Sequence, residues 1–339
     1  MKKINKKFQL KKISKKNISS FQVLVRNYWP KKNHIFSRNK KLINFYYNFK
    51  DNKKTNLIGL YNNKKLVSAL GLIPNKNWDI KLKEDYFIAF LVKSKLAYDS
   101  TFTFLNYIYH KIKPNFLAVN GINLSTSGKI FQRLGKIKLF SHYYILNPNL
   151  KNKISKNLTF SKKKLYLNNS LGLNFKITNN ITKLPKSKYY PKKSKIFFKK
   201  KYLENPYYDY FVMNFYSGSE LAFFLICRKI YIKKFKVNIL RVIDFYGTIP
   251  KKGCLVKSLT NYLIDNDIEY MDMLCYGFSK GVLENIGFLK KKNNQKIPDH
   301  FEPYTGKNAQ LNFSILINKY KGSILLLKGD GDQDRPNLN

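Results

Sequence analysis

Residues 115–138, "NFLAVNGINLSTSGKIFQRLGKIK", and residues 269–290, "EYMDMLCYGFSKGVLENIGFLK", follow one grammar. Each opens on a near-continuous apolar run of strand length, which reads as a strand buried on both faces. A glycine closes the run (Gly121, Gly277), and a short loop leads into a short helix. A second glycine, Gly135 or Gly287, marks the helix exit. Self-similarity at this distance points to a duplicated domain, each copy built on a strand–helix unit.

Working outward, apolar residues recur at helical spacing over residues 21–29 and 42–49, with Pro30 between them as a stop. Residues 57–61 and 66–73 read as a hairpin turning at Asn62-Asn63, since Asn tolerates the positive φ such turns need. "YFIAFLV" (86–92) is a buried strand, residues 101–112 a helix stopped by Pro114, and residues 136–146 a strand closing the unit. The second half repeats the order. It has a hairpin over 209–216 and 220–232 turning at Ser217-Gly218, and strands over 239–247 and 269–277. Helices follow at 254–265 and 280–288. Between the halves lie residues rich in Lys, Asn and Ser, with strand-like pieces at "LTF" and "LYL". The expected organisation is a basic mobile arm (1–17), a first domain (18–148), a linker (149–190) and a second domain (191–339).

Composition bounds the function. The chain has 339 residues, 44% hydrophobic and 16% aromatic, ample for a core. Its net charge of +46 raises nucleic acid or anionic lipid as partners. The lysines are spread along the whole chain together with Asn, Ile, Phe and Tyr, the signature of A/T-rich codons. A binding surface would concentrate them. The three cysteines, Cys227, Cys254 and Cys275, are far apart and read as reduced thiols of a cytoplasmic protein. The N-terminal "MKKINKKFQLKKISKKN" lacks the apolar core of a signal peptide, and no apolar run reaches membrane-spanning length, so no stable membrane insertion is expected. No zinc spacing is present, so no metal is expected. Oligomeric state is not encoded in any of these features.

The ordered set "NHIFSRNKKLINFYYNF", "GLYNNKKLVSALGLIP", "VNGINLSTSGKIFQRLGKI", "RVIDFYG", "EYMDMLCYG", "ENIGF", "HFEPY" and "DGDQDRPN" resembles the GNAT acyltransferase fold in tandem. It looks like the FemAB-like branch and the GNAT-like proteins associated with cell-surface polysaccharide synthesis. The resemblance covers about residues 20–339. It implies an α+β fold of two GNAT-like domains, each a mixed central sheet flanked by helices. It also implies an N- or O-acyltransferase whose donor is acetyl-CoA or another acyl-CoA, with aminoacyl-tRNA, and so tRNA as a partner, as the FemAB-type alternative. The acceptor would be a small-molecule sugar or cell-envelope precursor. A non-catalytic nucleic-acid-binding protein on the same scaffold is the competing class, and the basic surface keeps it open.

In GNAT proteins two neighbouring strands part to admit the pantetheine arm, and the pyrophosphate rests on the next helix's free N–H groups. After strand 86–92 the loop "KSKLAYDSTF" has no glycine. After strand 239–247, "GTIPKKGC" makes Gly247, Thr248, Lys251, Lys252 and Gly253 the cofactor-binding candidates. The helix position where many GNAT enzymes carry a catalytic Tyr holds Phe131 in one repeat and Leu283 in the other. Tyr246 and Tyr276 at strand ends could take that role, as could Tyr143 and Tyr144.

The chain has 19 acids against 65 bases, so acids are informative. Asp244 and Asp272 sit inside apolar strands, where an unpaired charge costs several kcal/mol. They are read either as a catalytic base or amine anchor facing one cleft, or as ion pairs, for instance with Arg241. His34 and Arg38 precede the first hairpin, where acceptors bind in GNAT folds. Asn120 and Asn123 flank the first strand end, and His300 and Glu302 lie in "HFEPY"; all six are acceptor candidates. The tail adds Asp330, Asp332, Asp334 and Arg335. A calcium loop would close on a bidentate Glu, and none follows this run. The reading is an ordered acidic loop fed by a strand over 323–328, either clamping basic side chains or holding a cationic acceptor.

Overall fold

The computed structural model describes residues 8–336 apart from 31–32, 48–53, 98, 125–127, 134–136, 152, 161–172, 251–254, 300–303 and 305. The chain opens with β1 (Phe8–Ser14), α1 (Ile18–Tyr28) and α2 (Lys40–Tyr47), followed by β2 (Lys54–Asn62), β3 (Lys65–Pro74) and β4 (Asp85–Lys93). Next come α3 (Ser100–Tyr107), which runs on as a π-helical turn, β5 (Phe116–Asn120), α4 (Gly128–Arg133) and the short β6 (Lys138–Leu139). Then follow β7 (Ser141–Leu146), β8 (Leu173–Thr178), α5 (Lys195–Phe198), β9 (Phe211–Ser217), β10 (Glu220–Ile232) and β11 (Val237–Gly247). The last elements are α6 (Val256–Asp265), β12 (Ile268–Tyr276), α7 (Val282–Asn285), β13 (Leu289–Lys290), β14 (Asn312–Asn318) and β15 (Leu326–Leu327).

The strands form two mixed sheets, in orders β1-β2-β3-β4-β5-β14-β6 and β13-β7-β12-β11-β10-β9-β8. The chain divides into two compact units. Unit 1 comprises 1–138, 312–320 and 331–339, and unit 2 comprises 139–311 and 321–330. This division is discontinuous, where the sequence reading drew two contiguous domains.

The reason lies in one strand of each sheet. Residues 136–146 were expected to be one strand closing the first unit. Instead the strand breaks at Phe140, and β7 enters the second sheet beside β12, pairing Met273 with Tyr143 and Cys275 with Ser141. The matching place in the first sheet is taken by β14, which pairs antiparallel with β5. The two halves have exchanged a strand.

Other expectations shift locally. Residues 8–14, assigned to a mobile arm, form an edge strand on β2, with Leu10 opposite Leu60. The first hairpin turns at Asn63-Lys64, at φ 46° and 66°, rather than at Asn62-Asn63. Asn62 is still a paired strand residue, opposite Lys65. The expected linker docks at its start: the N–H groups of Lys153, Ile154 and Ser155 all donate to the Glu269 carboxylate. It also supplies β8, which pairs with β9. Of its strand-like pieces, "LTF" is not a strand, and "LYL" lies outside the described residues. The helix read over 280–288 is the single turn α7, and the strand read over 323–328 shortens to β15.

In unit 1 one sheet face packs Ile58, Leu70, Ile88 and Leu117 against Phe104, Ile108 and Phe131 of the α3 and α4 segments. On α1, Phe21, Leu24 and Val25 are buried at helical spacing, and the helix ends where Trp29 turns extended before Pro30. In unit 2, Leu240, Val242 and Met273 pack against Leu259 and Leu263 of α6 and Leu283 of α7. Each of these fully buried side chains contributes about 1.5–3 kcal/mol of hydrophobic stabilisation.

Candidate functional site

Both units part their central parallel strands in the same way. In unit 1, β4 and β5 pair from Asp85–Phe116 to Ile88–Val119 and no further, although β4 continues to Lys93. On its other edge β4 skips a residue against β3, which pairs Gly71 with Phe90 and Leu72 with Ile88, so Ala89 is a bulge. In unit 2, β11 and β12 pair as far as Val242–Met273. There β10 pairs Ile226 with Asp244 and Cys227 with Val242, so Ile243 is the bulge. A bulge adds one residue and sharpens the local twist, which turns a strand away from its neighbour. In each unit, pairing stops at the residue before the bulge.

The bulge also resets the alternation of side chains. On β11, Leu240, Val242 and Phe245 share the core that packs on α6. Arg241 and Asp244 therefore fall on the opposite face, together with Asp272 of β12. The residue just past the bulge is Phe90 in unit 1 and Asp244 in unit 2.

Phe90 sits in an aromatic cage, with ring centroids 5.5–5.6 Å from Phe21, Trp29, Phe36 and Tyr47. Against this face lie residues 331–335. The Tyr47 hydroxyl donates to Asp332 at 3.0 Å, and Arg335 Nε donates to the same carboxylate oxygen at 2.7 Å. The Arg335 guanidinium stacks over Phe36 at 4.4 Å, with its Nη1 3.5 Å from His34 Nε2. His34 Nδ1 accepts from the Phe36 N–H at 3.2 Å. The Gln333 amide donates to the Asn120 carbonyl at 3.3 Å, and the Tyr46 hydroxyl to the Asp334 carbonyl at 3.3 Å. Burial and then Asp332 push the Tyr47 hydroxyl pKa well up, so it stays a donor. Five of the sequence candidates, His34, Asn120, Asp332, Asp334 and Arg335, are thus gathered on one face of unit 1. Arg38 is exposed and donates to Asn33; Asn123 is exposed and receives the Gly128 N–H on its carbonyl.

In unit 2 the two strand carboxylates share a sheet face but enter separate networks. Asp272 accepts from Arg241 Nε at 3.0 Å and Nη2 at 2.7 Å, and lies 2.7 Å from His142 Nε2. Burial alone would raise its pKa. Arg241 and the His142 hydrogen bond outweigh that and hold the carboxyl well below the usual carboxylate range. Burial lowers the His142 pKa, and among the described residues its Nδ1 has no hydrogen-bond partner, so the neutral ring donates from Nε2 to Asp272. Asp244 accepts from Lys193 at 2.6 Å and from the Tyr202 hydroxyl at 2.7 Å, and Lys193 also reaches Asp330 at 2.9 Å. Burial would lower the Lys193 pKa, but the two carboxylates raise it. One buried ammonium thus holds two carboxylates together.

Tyr246 packs its ring against Phe198 and Phe224. Tyr276 lines a cavity of ≈ 520 Å³ with Tyr143, Cys275, Lys280 and Glu284. Gly247 (φ +123°) lies so close to β10 that a Cβ would sit 2.5 Å from Ala222 O, a packing need independent of any phosphate. The Thr248 N–H and hydroxyl donate to Ala222 O and Lys186 O. Lys251, Lys252, Gly253, His300 and Glu302 lie outside the described residues.

Sequence reading missed Lys193, Tyr202, His142 and Tyr47. Lys193 stands in the run "PKKSKIFFKK", where composition hides any single lysine. Tyr202 belongs to a π-helical segment whose spacing has no simple signature. His142 carried the one available signal, since the chain has only 4 histidines.

No family model and no curated protein sequence matches this chain. Among solved structures, it is similar to a GCN5-related N-acetyltransferase from Anabaena variabilis. The TM-score is 0.50 at 10% identity, over 90% of this chain and 72% of that one. A conserved Enterococcus faecalis protein, a probable N-acyltransferase, is similar at TM-score 0.47 and 9% identity, over 90% of this chain and 71% of that one. At such identity the likeness concerns the fold, and the fold is α+β and GNAT-like, with two mixed sheets flanked by helices.

Proposed function

We propose that this chain is an N-acyltransferase that moves an acyl group from acyl-CoA to the amine of a small molecule. The observation that carries the reading is the bulged central strand whose parallel pairing ends at the bulge, at Ile88–Val119 in unit 1 and Val242–Met273 in unit 2. A parted pair exposes a row of backbone N–H and C=O groups, which suits an extended amide-bearing arm such as pantetheine. The acceptor amine attacks the thioester carbonyl, the C–S bond breaks, and the thiolate takes up a proton as the amine loses one. Positioning and backbone N–H donors at the opening supply most of what this reaction needs. The resemblance of the ordered sequence motifs extends the proposal to a sugar or cell-envelope precursor as acceptor.

Acetyl-CoA at 100-fold its Kd should stabilise the protein by about 2.7 kcal/mol, read as a rise in Tm. Free thiol should appear when an amino sugar is added. A Tm indifferent to millimolar acetyl-CoA and longer acyl-CoAs would sink this reading. Tight RNA binding with a steep salt slope would then favour a nucleic-acid partner.

A further inference from the structure

The openings of the two units differ in what lies inside them. Beyond Met273, the β12 edge that faced β11 pairs with β15, Cys275 opposite Leu327 and Tyr276 opposite Leu326. The same short segment then reaches the other wall, where the Gly329 N–H donates to the carbonyl of the bulge residue Ile243 at 2.8 Å. It is fastened on both sides. The Leu325 N–H donates to Tyr190 O, and Lys201 Nζ to Gly329 O at 2.6 Å. The Asp330 carboxylate accepts from the Leu327 N–H at 2.8 Å and meets Lys193, which also holds Asp244 of β11. Two glycines permit the fit. A Cβ on Gly277 would lie 1.8 Å from Ile324 O, and one on Gly329 would lie 2.4 Å from the Tyr202 hydroxyl and 2.7 Å from Ile243 O. Leu325, Leu326 and Leu327 are buried.

In unit 1, among the described residues, no strand pairs with β4 beyond Ile88 on the β5 side. Ala89 and Leu91 are half-buried although β4 is a central strand, whereas Ile243 is 0% exposed. The C-terminal stretch touches unit 1 differently. Gly331 faces the Phe87 side chain, and the Gln333 side chain covers Gly121 and the Asn120 carbonyl. Residues 331–335 therefore lie on the aromatic face of the sheet.

We propose that residues 324–330 are a built-in occupant of the unit 2 opening. The chain's own backbone there takes the place of a donor's amide-bearing arm, closing that unit to acyl donors and leaving one donor site per chain, in unit 1. This rests on the acyltransferase reading above. The filled slot shows the chemistry such an opening accepts, an extended chain with an N–H aimed at the bulge carbonyl. The Lys193 bridge between Asp244 and Asp330 ties the occupant to the wall of the slot it fills.

Hydrogen exchange on the full-length protein, with and without saturating acetyl-CoA, tests the assignment. The expected result is protection at residues 89–93 and no change at 243–247 or 326–329. Titration should give one acetyl-CoA per chain. Ala89→Trp should weaken binding by at least about tenfold, a loss of about 1.4 kcal/mol. Gly329→Val, which unseats the occupant, should leave the affinity of the unit 1 site unchanged. Faster exchange at 326–329 on adding acetyl-CoA, with protection at 243–247, would show the donor displacing the segment and overturn the proposal. In Gly329→Val a second, new footprint at 243–247 would support the proposal, since it is the occupant that closes that opening. The exchange experiment needs no variant, so it decides even if Ala89→Trp fails to fold. An absence of protection anywhere would defeat the transferase reading itself, and this proposal with it, a result distinct from a footprint on unit 2.

Discussion

Unit 1 and unit 2 bulge the same strand at the same place, then fill the position past the bulge with opposite chemistry. Unit 1 places Phe90 among four aromatic rings. Unit 2 places Asp244 against Lys193 and Tyr202. A bulge is a backbone device and is indifferent to the side chain that follows it. The cage around Phe90 is stabilised by burial and ring geometry. The network around Asp244 offsets a desolvation cost with charge and hydrogen bonds, and depends on every member being present. One scaffold therefore tolerates an apolar lining or a charged one, provided each is complete.

The largest effect should come from cutting the comparison in two. Residues 1–148 alone lack β14, the partner of β5, and carry β7, which belongs to the other sheet. That fragment should show no cooperative unfolding transition by circular dichroism. A fragment that melts cooperatively would show that the exchanged strand is dispensable. Next, Lys193→Met leaves Asp244 and Asp330 buried without their cation, and should cost about 3–5 kcal/mol in urea unfolding. Phe90→Ala should cost a similar 3–5 kcal/mol through the cavity it leaves. The two differ on rescue: adding Asp244→Leu should restore part of the loss from Lys193→Met, because it removes one of the two buried carboxylates left without their cation and leaves Asp330 as the other. If that double variant is no better than the single one, the network is not the paired unit described here.

Acid should separate the units further. The His142 pKa is lowered by burial. Below the unfolded value of about 6.5 the unfolded chain binds a proton that the folded chain refuses, so stability falls as pH drops. The slope from this group is at most about 1.4 kcal/mol per pH unit. His142→Gln, which keeps an N–H donor for Asp272, should flatten the difference in Tm between pH 7 and pH 5. The depressed Asp272 carboxyl contributes stability that is complete above about pH 4 and is lost only at lower pH, as the folded carboxyl titrates. An unchanged pH profile in His142→Gln would mean that the His142 pKa is the same in the folded and unfolded chain, and a steeper one that the folded protein holds the ring charged.

The smallest effects lie in the hairpins. Unit 1 holds Asn63 and Lys64 at positive φ, while unit 2 uses Gly218 at φ +60°. Lys64→Gly should stabilise by about 0.5–1 kcal/mol and Gly218→Ala should destabilise by about 1 kcal/mol. Nothing lies within 4 Å of a Cβ on Gly218, so that loss isolates the backbone term.

Much of the scaffold was legible in the sequence. The apolar runs at β4, β5, β11 and β12, the helix-spaced residues of α1 and α6, and the duplicated strand–helix unit are local signals. Burial on both faces or on one stripe dictates residue type within a few positions. Asp244 and Asp272 were legible as anomalies for the same reason, as acids in apolar strands. Arg241 was named as a partner and does pair with Asp272. The bulges at Ala89 and Ile243 were not legible, because an extra residue is visible only against a partner strand.

The sequence by itself determined the central strands β4, β5, β11 and β12, the helices α1 and α6, where charge is anomalous, and the repeated strand–helix grammar, because each follows from short-range periodicity and residue chemistry. Tertiary structure alone decided that β7 and β14 change sheets, that Lys193 rather than any other of the 65 basic residues holds Asp244 and Asp330, and that residues 324–330 fill one opening and leave the other. Strand partners and buried counter-charges are chosen by contacts across about fifty to nearly two hundred residues of chain, about which local composition carries no information.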